Sequence, residues 1–101
     1  MMGQARLLTL AVLNRGPLHG YGIIKEIREK SQGCCTITGG TIYPALRELE
    51  LEGLIKSKKA NVRRRGRVVY KITPEGEKVL ARGLDRWVAF TKGAKRLLAV
   101  D

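Results

Sequence analysis

The segment TGGTIYPALRELELEGLI, Thr38 to Ile55, constrains this chain more than any other, because positive charge with nothing to offset it follows at once. From Gly53 to Pro74 there is no Asp or Glu, yet the same stretch holds Lys56, Lys58, Lys59, Arg63, Arg64, Arg65, Arg67 and Lys71. A short helix with a polar, glycine-opened N-terminus thus leads into a basic hairpin. That order suits a nucleic-acid reader, in which a helix meets base edges and a hairpin grips phosphate. Eight of the 20 basic residues lie in this one acid-free segment, so an even, merely solubilising spread of charge is disfavoured. The net charge of +11 points to a polyanionic partner. Nucleic acid comes first and an anionic membrane surface second.

A chain of 101 residues makes one modest core, which oligomerisation would help to stabilise. No apolar run approaches the ~20 residues of a membrane span. The apolar stretch Leu7 to Leu13 lacks a small-residue cleavage site and runs into a helix pattern, unlike a signal peptide. A cytoplasmic, nucleoid-associated location is the expectation.

Four helices and one hairpin emerge along the chain. The first helix, Gln4 to Leu13, is apolar on nearly every face, which predicts burial by its own domain and by a partner. Asn14 to Pro17 form a loop. The second helix runs from about Gly20 to Lys30 with Ile23, Ile24 and Ile27 inward, and Gly33 can cap its end. The third begins near Thr38 or Thr41 and ends at Gly53; Pro44 favours the later start, because in a first turn its missing N–H costs nothing. Ile42, Ala45, Leu46 and Leu49 form its core stripe. Gly40, Pro44 and Arg47 point the opposite way, flanked by Thr41 and Tyr43. This outward face is small at its N-terminal end, while Glu48, Glu50 and Glu52, which would repel phosphate, sit toward the far end. The helix therefore suits entry into a major groove N-terminus first.

Ile55 to Ala60 and Arg67 to Thr73 read as strands joined by an arginine-rich tip, with Val68, Tyr70 and Ile72 alternating inward. Thr73-Pro74-Glu75 then starts a last helix. On it Leu80, Leu84, Trp87, Thr91, Ala94 and Leu98 recur at spacings of four and three, a coiled-coil seam. A second stripe, Val79, Phe90 and Leu97, lies to one side. One stripe is expected to pack on the parent domain and the other on a second subunit. Gly83 and Gly93 are places where the helix could bend. The expected division is a DNA-binding part, residues 1–74, and a dimerisation helix, residues 75–101.

The segments GPLHGYGIIKEI, TGGTIYPALRELELEGLI and VVYKITPEGEKVL resemble the PadR family of winged-helix transcriptional regulators, in the right order over roughly residues 5 to 90. The resemblance implies a mainly α fold with a small β-hairpin wing: a winged helix-turn-helix plus a C-terminal dimerisation helix, of the short type without a separate effector domain. It implies a homodimer on double-stranded operator DNA, acting as a repressor at an inverted repeat. Val68 and Val69 depart from the family's basic-aromatic pair, and Cys34-Cys35 stands outside its pattern.

Physics and resemblance together nominate Gly20, Tyr21, Thr38, Gly40, Thr41, Tyr43, Pro44, Arg47, Lys59, Arg63, Arg64, Arg65 and Arg67 for DNA contact. Arg47 is the candidate for bidentate reading of guanine, against a surface ion pair with Glu48 or Glu50. Tyr43 can hydrogen-bond phosphate or pack on the hairpin. Gly20 and Tyr21 can offer backbone N–H groups at a helix start, against core packing of the Tyr21 ring. Leu7, Leu10, Leu80, Leu84, Trp87, Thr91, Ala94 and Leu98 are nominated for dimerisation. A flat aromatic effector could stack at Trp87, against a Trp that merely fills the interface.

Catalysis has little support. His19, the only histidine, reads as a structural turn residue rather than a general base. Gly39-Gly40-Thr41 lacks the lysine of a phosphate loop. Two adjacent cysteines and one distant histidine fall short of a zinc site, so neither metal nor cofactor is expected. Cys34 and Cys35 read as a packed or inert pair, with a redox switch as the alternative. A basic architectural nucleic-acid-binding protein with little sequence preference is the competing function.

Overall fold

Local chemistry sets most of the element boundaries in the computed structural model, which describes residues 4–60 and 67–99. The elements are α1 (Gln4–Leu13), β1 (Leu18–His19), α2 (Gly20–Lys30), α3 (Gly39–Leu51), β2 (Ile55–Ala60), β3 (Arg67–Ile72) and α4 (Pro74–Leu98). This is a mainly helical fold with a small antiparallel sheet of order β1-β3-β2. The first strand was not legible in sequence. Leu18 and His19 pair with Tyr70 and Val69, and two residues are too few to show a period of two.

At the end of α3 the chain turns through Gly53 (φ 77°). The N–H of Leu54 bonds the Leu49 carbonyl at 2.9 Å and that of Gly53 bonds the Glu50 carbonyl at 3.0 Å, a glycine-dependent helix stop. The start of α4 matches the sequence expectation. Thr73 caps it, its Oγ1 accepting from the Gly76 N–H at 3.0 Å and donating to the Gly53 carbonyl at 2.7 Å. One threonine thus ties the end of α3 to the start of α4.

The start of α3 falls at the earlier of the two positions the sequence offered, against the later one that Pro44 favoured. Thr38, not Thr41, stands at the cap position, although its side chain makes no capping bond, and Pro44 lies inside the helix. The backbone ladder opens with the Ile42 N–H on the Thr38 carbonyl at 2.9 Å. Packing overrides the proline: Ile42 is fully buried, so tertiary contact holds the turn that Pro44 deprives of one hydrogen bond.

Leu10, Leu13, Ile23, Ile42, Leu46, Leu49 and Ile55 are fully buried, and Leu54, Ile72 and Leu80 join them. Each such side chain contributes about 1.5–3 kcal/mol through burial. Two dimerisation assignments are corrected here. Leu10 (0 % exposed) and Leu80 (5 %) belong to the chain's own core, so no partner can reach them. Leu7 is half-buried and lies over Gly83 of α4. The core also runs past residue 74 through Gly76 and Leu80, so the first two turns of α4 share it with the segments before them.

Beyond Gly83 both stripes of α4 emerge together. Leu84, Trp87, Val88, Phe90, Leu97 and Leu98 are exposed, and the rings of Trp87 and Phe90 stack at 5.9 Å. The helix is therefore divided along its length, its first turns inside and the rest outside, rather than stripe by stripe. It continues unbroken through Gly83 and Gly93. At 25 residues it is ~37 Å long, which helps draw the molecule out to 63 × 28 × 21 Å. Among the described residues no helix is long and apolar enough to cross a membrane.

Candidate nucleic-acid interface

The outward face of α3 is built as its sequence suggests. Thr38, Gly40, Thr41, Tyr43, Pro44 and Arg47 are exposed, while Ile42, Ala45, Leu46 and Leu49 are buried behind them. The glutamates that follow Arg47 are held elsewhere. Arg6 of α1 reaches Glu48 at 3.1 Å and also pairs with Glu52, and Glu50 accepts from the Ser57 hydroxyl. The hydrogen bond to Glu52 raises the Arg6 pKa, and the same bond holds the Glu52 carboxyl below its ordinary range. Arg47 takes part in none of the ion pairs among the described residues. The surface pair weighed for it has lost its candidates, since both glutamates have other partners. Sequence inspection missed Arg6, because a contact from residue 6 to residues 48 and 52 has no local signal.

The entry to α2 sits beside this face. His19 is extended (φ −84°, ψ 166°) and its Nδ1 accepts from the Gly22 N–H at 2.9 Å, so the lone histidine caps a helix. Gly20 opens α2. It is buried under the ring of Tyr43, where a Cβ would come within 2.6 Å of a ring carbon. The absence of a side chain lets the outer end of that ring approach the start of α2. Tyr21 is 66 % exposed, which removes the core-packing alternative.

His19, Gly20, Tyr21, Tyr43, Val68 and Tyr70 line one open cleft of about 430 Å³. All three tyrosines of the chain converge there, one each from α2, α3 and β3. Burial, with smaller contributions from Glu50 and Tyr43, pushes the Tyr70 hydroxyl above its ordinary pKa. It keeps its proton and can donate to an anion. Tyr70 was read only as an inward strand residue; its place between Leu18 of β1 and Ser57 of β2, beside Tyr43 of α3, is a tertiary fact. Ile72 on the same strand face is buried, whereas Val68 is exposed at 38 %.

Lys59 pairs in register with Val68, so it shares the sheet face of Tyr70. Arg63, Arg64 and Arg65 lie outside the described residues, as does the side chain of Arg67. On α4, Leu84, Trp87 and Leu98 are exposed, and Thr91 and Ala94 are half-buried. The Thr91 hydroxyl donates to the Trp87 carbonyl at 2.9 Å. Cys34 and Cys35 are free thiols. Desolvation, followed by the adjacent Cys34 thiol, raises the Cys35 pKa, which works against the thiolate a redox switch would need.

The sequence profile of the family described as "Transcriptional regulator PadR-like family" matches residues 9–82. The "Transcriptional regulator YqjI" of Escherichia coli is 43 % identical over 53 residues, covering 52 % of this chain and 26 % of that protein. This chain thus spans about a quarter of that relative's length. A solved transcriptional regulator from Clostridium thermocellum superposes with a TM-score of 0.87 at 32 % identity, over 93 % of this chain and 92 % of that one. Bacillus subtilis PadR, solved in complex with operator DNA, superposes with a TM-score of 0.76 at 26 % identity, over 83 % of this chain and 48 % of that one. With the match running from α1 into α4 and the exposed third helix beside its small sheet, the chain belongs to the PadR-like family of transcriptional regulators, whose members control transcription rather than act as enzymes.

Proposed function

We propose that this chain binds an inverted-repeat operator in double-stranded DNA as a homodimer, in the cytoplasm at the nucleoid, and represses transcription. The observation that carries this reading is the exposed face of α3, where Thr41, Tyr43, Pro44 and Arg47 stand beside the tyrosine cleft. The glutamates of that helix are bound to Arg6 and Ser57 instead. Operator DNA on the Bacillus subtilis PadR supports the choice of partner. In this arrangement Arg47 reads a guanine edge, Tyr21 and Tyr70 donate to phosphate, and Lys59 with the arginines at 63, 64, 65 and 67 grips the backbone. The exposed apolar part of α4 joins two copies, so that two α3 helices meet major grooves about one turn, ~10 bp, apart. The Trp87–Phe90 stack is the place for a flat aromatic effector.

Arg47→Ala should cost about 1–3 kcal/mol on the operator and much less on random duplex. Replacing Arg63 and Arg64 by Ala should weaken both DNAs alike and lower the log–log salt slope by about 0.9 per lost contact. Protection of fragments from the protein's own promoter, with random competitor, measures both. Equal losses on both DNAs for Arg47→Ala would favour the architectural alternative.

Gly20→Ala tests the tyrosine cleft. The added methyl meets only the outer edge of the Tyr43 ring, which can swing away, so melting should change little. DNA affinity should fall about tenfold, the equivalent of one charge-assisted hydrogen bond. Unchanged affinity would show that the position of the Tyr43 ring is irrelevant to binding.

A further inference from the structure

Strand alternation divides the basic segment into two surfaces that face opposite ways. Ile55 with Ile72, Ser57 with Tyr70 and Lys59 with Val68 share the face that packs toward the helices and continues into the tyrosine cleft. Lys56 stands directly opposite Lys71, and Lys58 opposite Val69, on the other face. An open groove of about 650 Å³ lies on this side; its lining holds Pro17, Lys56, Lys58, Val69 and Lys71, and also takes in Ser57 and Lys59 from the strand whose register turns them to the other face.

Like charges directly opposed across a ladder work against strand pairing. Lys56, Lys58 and Lys71 take part in none of the ion pairs among the described residues. The core does not require them, since Ile55 and Ile72 on the other side of the strands supply the burial. Three ammonium groups are therefore gathered on one sheet face at some cost to the fold, with Val69 and Pro17 lining the same groove.

We propose that this outer face is a second phosphate-binding surface, engaging the backbone of a duplex DNA segment other than the one met by α3. The choice of DNA rests on the proposed function. The separation of the surfaces rests on strand alternation instead, which turns Lys56, Lys58 and Lys71 to the side of the sheet opposite Tyr70 and Val68. Lys56 and Lys58 are two residues apart, about 6.6 Å along a strand, which is close to the step between successive phosphates of a nucleic-acid strand. An anionic membrane is the less suitable partner, since among the described residues of this face there is no aromatic or long apolar side chain to enter a bilayer interface.

Fluorescence anisotropy of a labelled duplex of unrelated sequence, taken over a salt series, tests the proposal. The proteins are the wild type, the triple Lys56→Gln/Lys58→Gln/Lys71→Gln, the recognition-side double Arg47→Ala/Lys59→Gln, and all five changes together. The triple should lower the log–log salt slope by about 0.9 per lost contact, and by the same amount in both backgrounds. Arginine at the same three positions should restore the slope. The triple should melt no lower than wild type, since a like-charge pair has been relieved. An unchanged slope in the triple overturns the proposal, as does a loss seen only when Arg47 and Lys59 are intact, which would mean one continuous surface. A triple that loses binding to anionic phospholipid vesicles but keeps its DNA slope overturns it in favour of a membrane. If the recognition-side double changes nothing while the triple still lowers the slope, the phosphate contact given to Lys59 fails and the second surface stands.

Discussion

Glutamate at both Leu84 and Trp87 should turn the proposed dimer into a folded monomer and weaken DNA binding by about 10²–10⁴-fold, the usual gain from linking two sites. The two side chains are 42 % and 48 % exposed and adjoin Val88 at 50 % and Phe90 at 67 %. Apolar surface concentrated in this way on a charged chain marks an interface. A two-fold contact would use the same stripe on both copies. Because both positions lie outside the chain's own core, buried carboxylates should oppose association without unfolding the subunit. Deleting the helix from residue 77 onward would be a poorer test, since Leu80 fills the core. Sedimentation and a duplex titration would decide the matter, with helix content followed by circular dichroism because the only Trp is lost. A double variant that sediments and binds like the wild type would remove α4 from the assembly.

The largest effect on stability is expected at Gly76. A Cβ built there would come within 2.1 Å of the Leu54 carbonyl oxygen and 2.7 Å of Ile72 Cγ1. Neither can retreat easily, because that oxygen accepts from the Thr73 N–H at 3.0 Å and Ile72 is packed in the core. Gly76→Ala should therefore destabilise the protein by about 2–3 kcal/mol, a backbone clash outweighing the gain in helix propensity. The melting temperature should fall by on the order of 10 °C at fixed protein concentration. Gly40→Ala is the control, since its Cβ would meet only Thr38 Oγ1 at 3.8 Å. Stability there should hold or rise by up to ~1 kcal/mol. Similar melting of the two variants would show that the contact between Gly76 and Leu54 relaxes at little cost.

Much of the frame was legible because its signals are local. Gly53 stops α3, Thr73 and Pro74 start α4, and the spacing of Ile42, Ala45, Leu46 and Leu49 selects the buried side of α3. Each of these rests on a residue's own dihedral limits or on neighbours within one helical turn. Pro44 shows where such reasoning ends. Its local preference for a first turn loses to the burial of Ile42, a contact made with distant parts of the chain. Leu10 and Leu80 show the same limit for burial. Periodicity says that a face is apolar but not which surface covers it, and for these two the cover is their own core.

By itself the sequence determined the order of the four helices and the hairpin, the outward face of α3 and the concentration of charge after it, because side-chain period and composition are properties of the chain. Tertiary structure decided which of those residues stand together. Pairing of β2 with β3 sent Lys59 to one side of the sheet and Lys56, Lys58 and Lys71 to the other. Packing of α2 against α3 laid the Tyr43 ring on Gly20 and brought Tyr21 and Tyr70 to the same cleft. Arg6 reached across to Glu48 and Glu52. These contacts join residues that are distant along the chain, so their energies depend on the closed fold rather than on any local run of sequence.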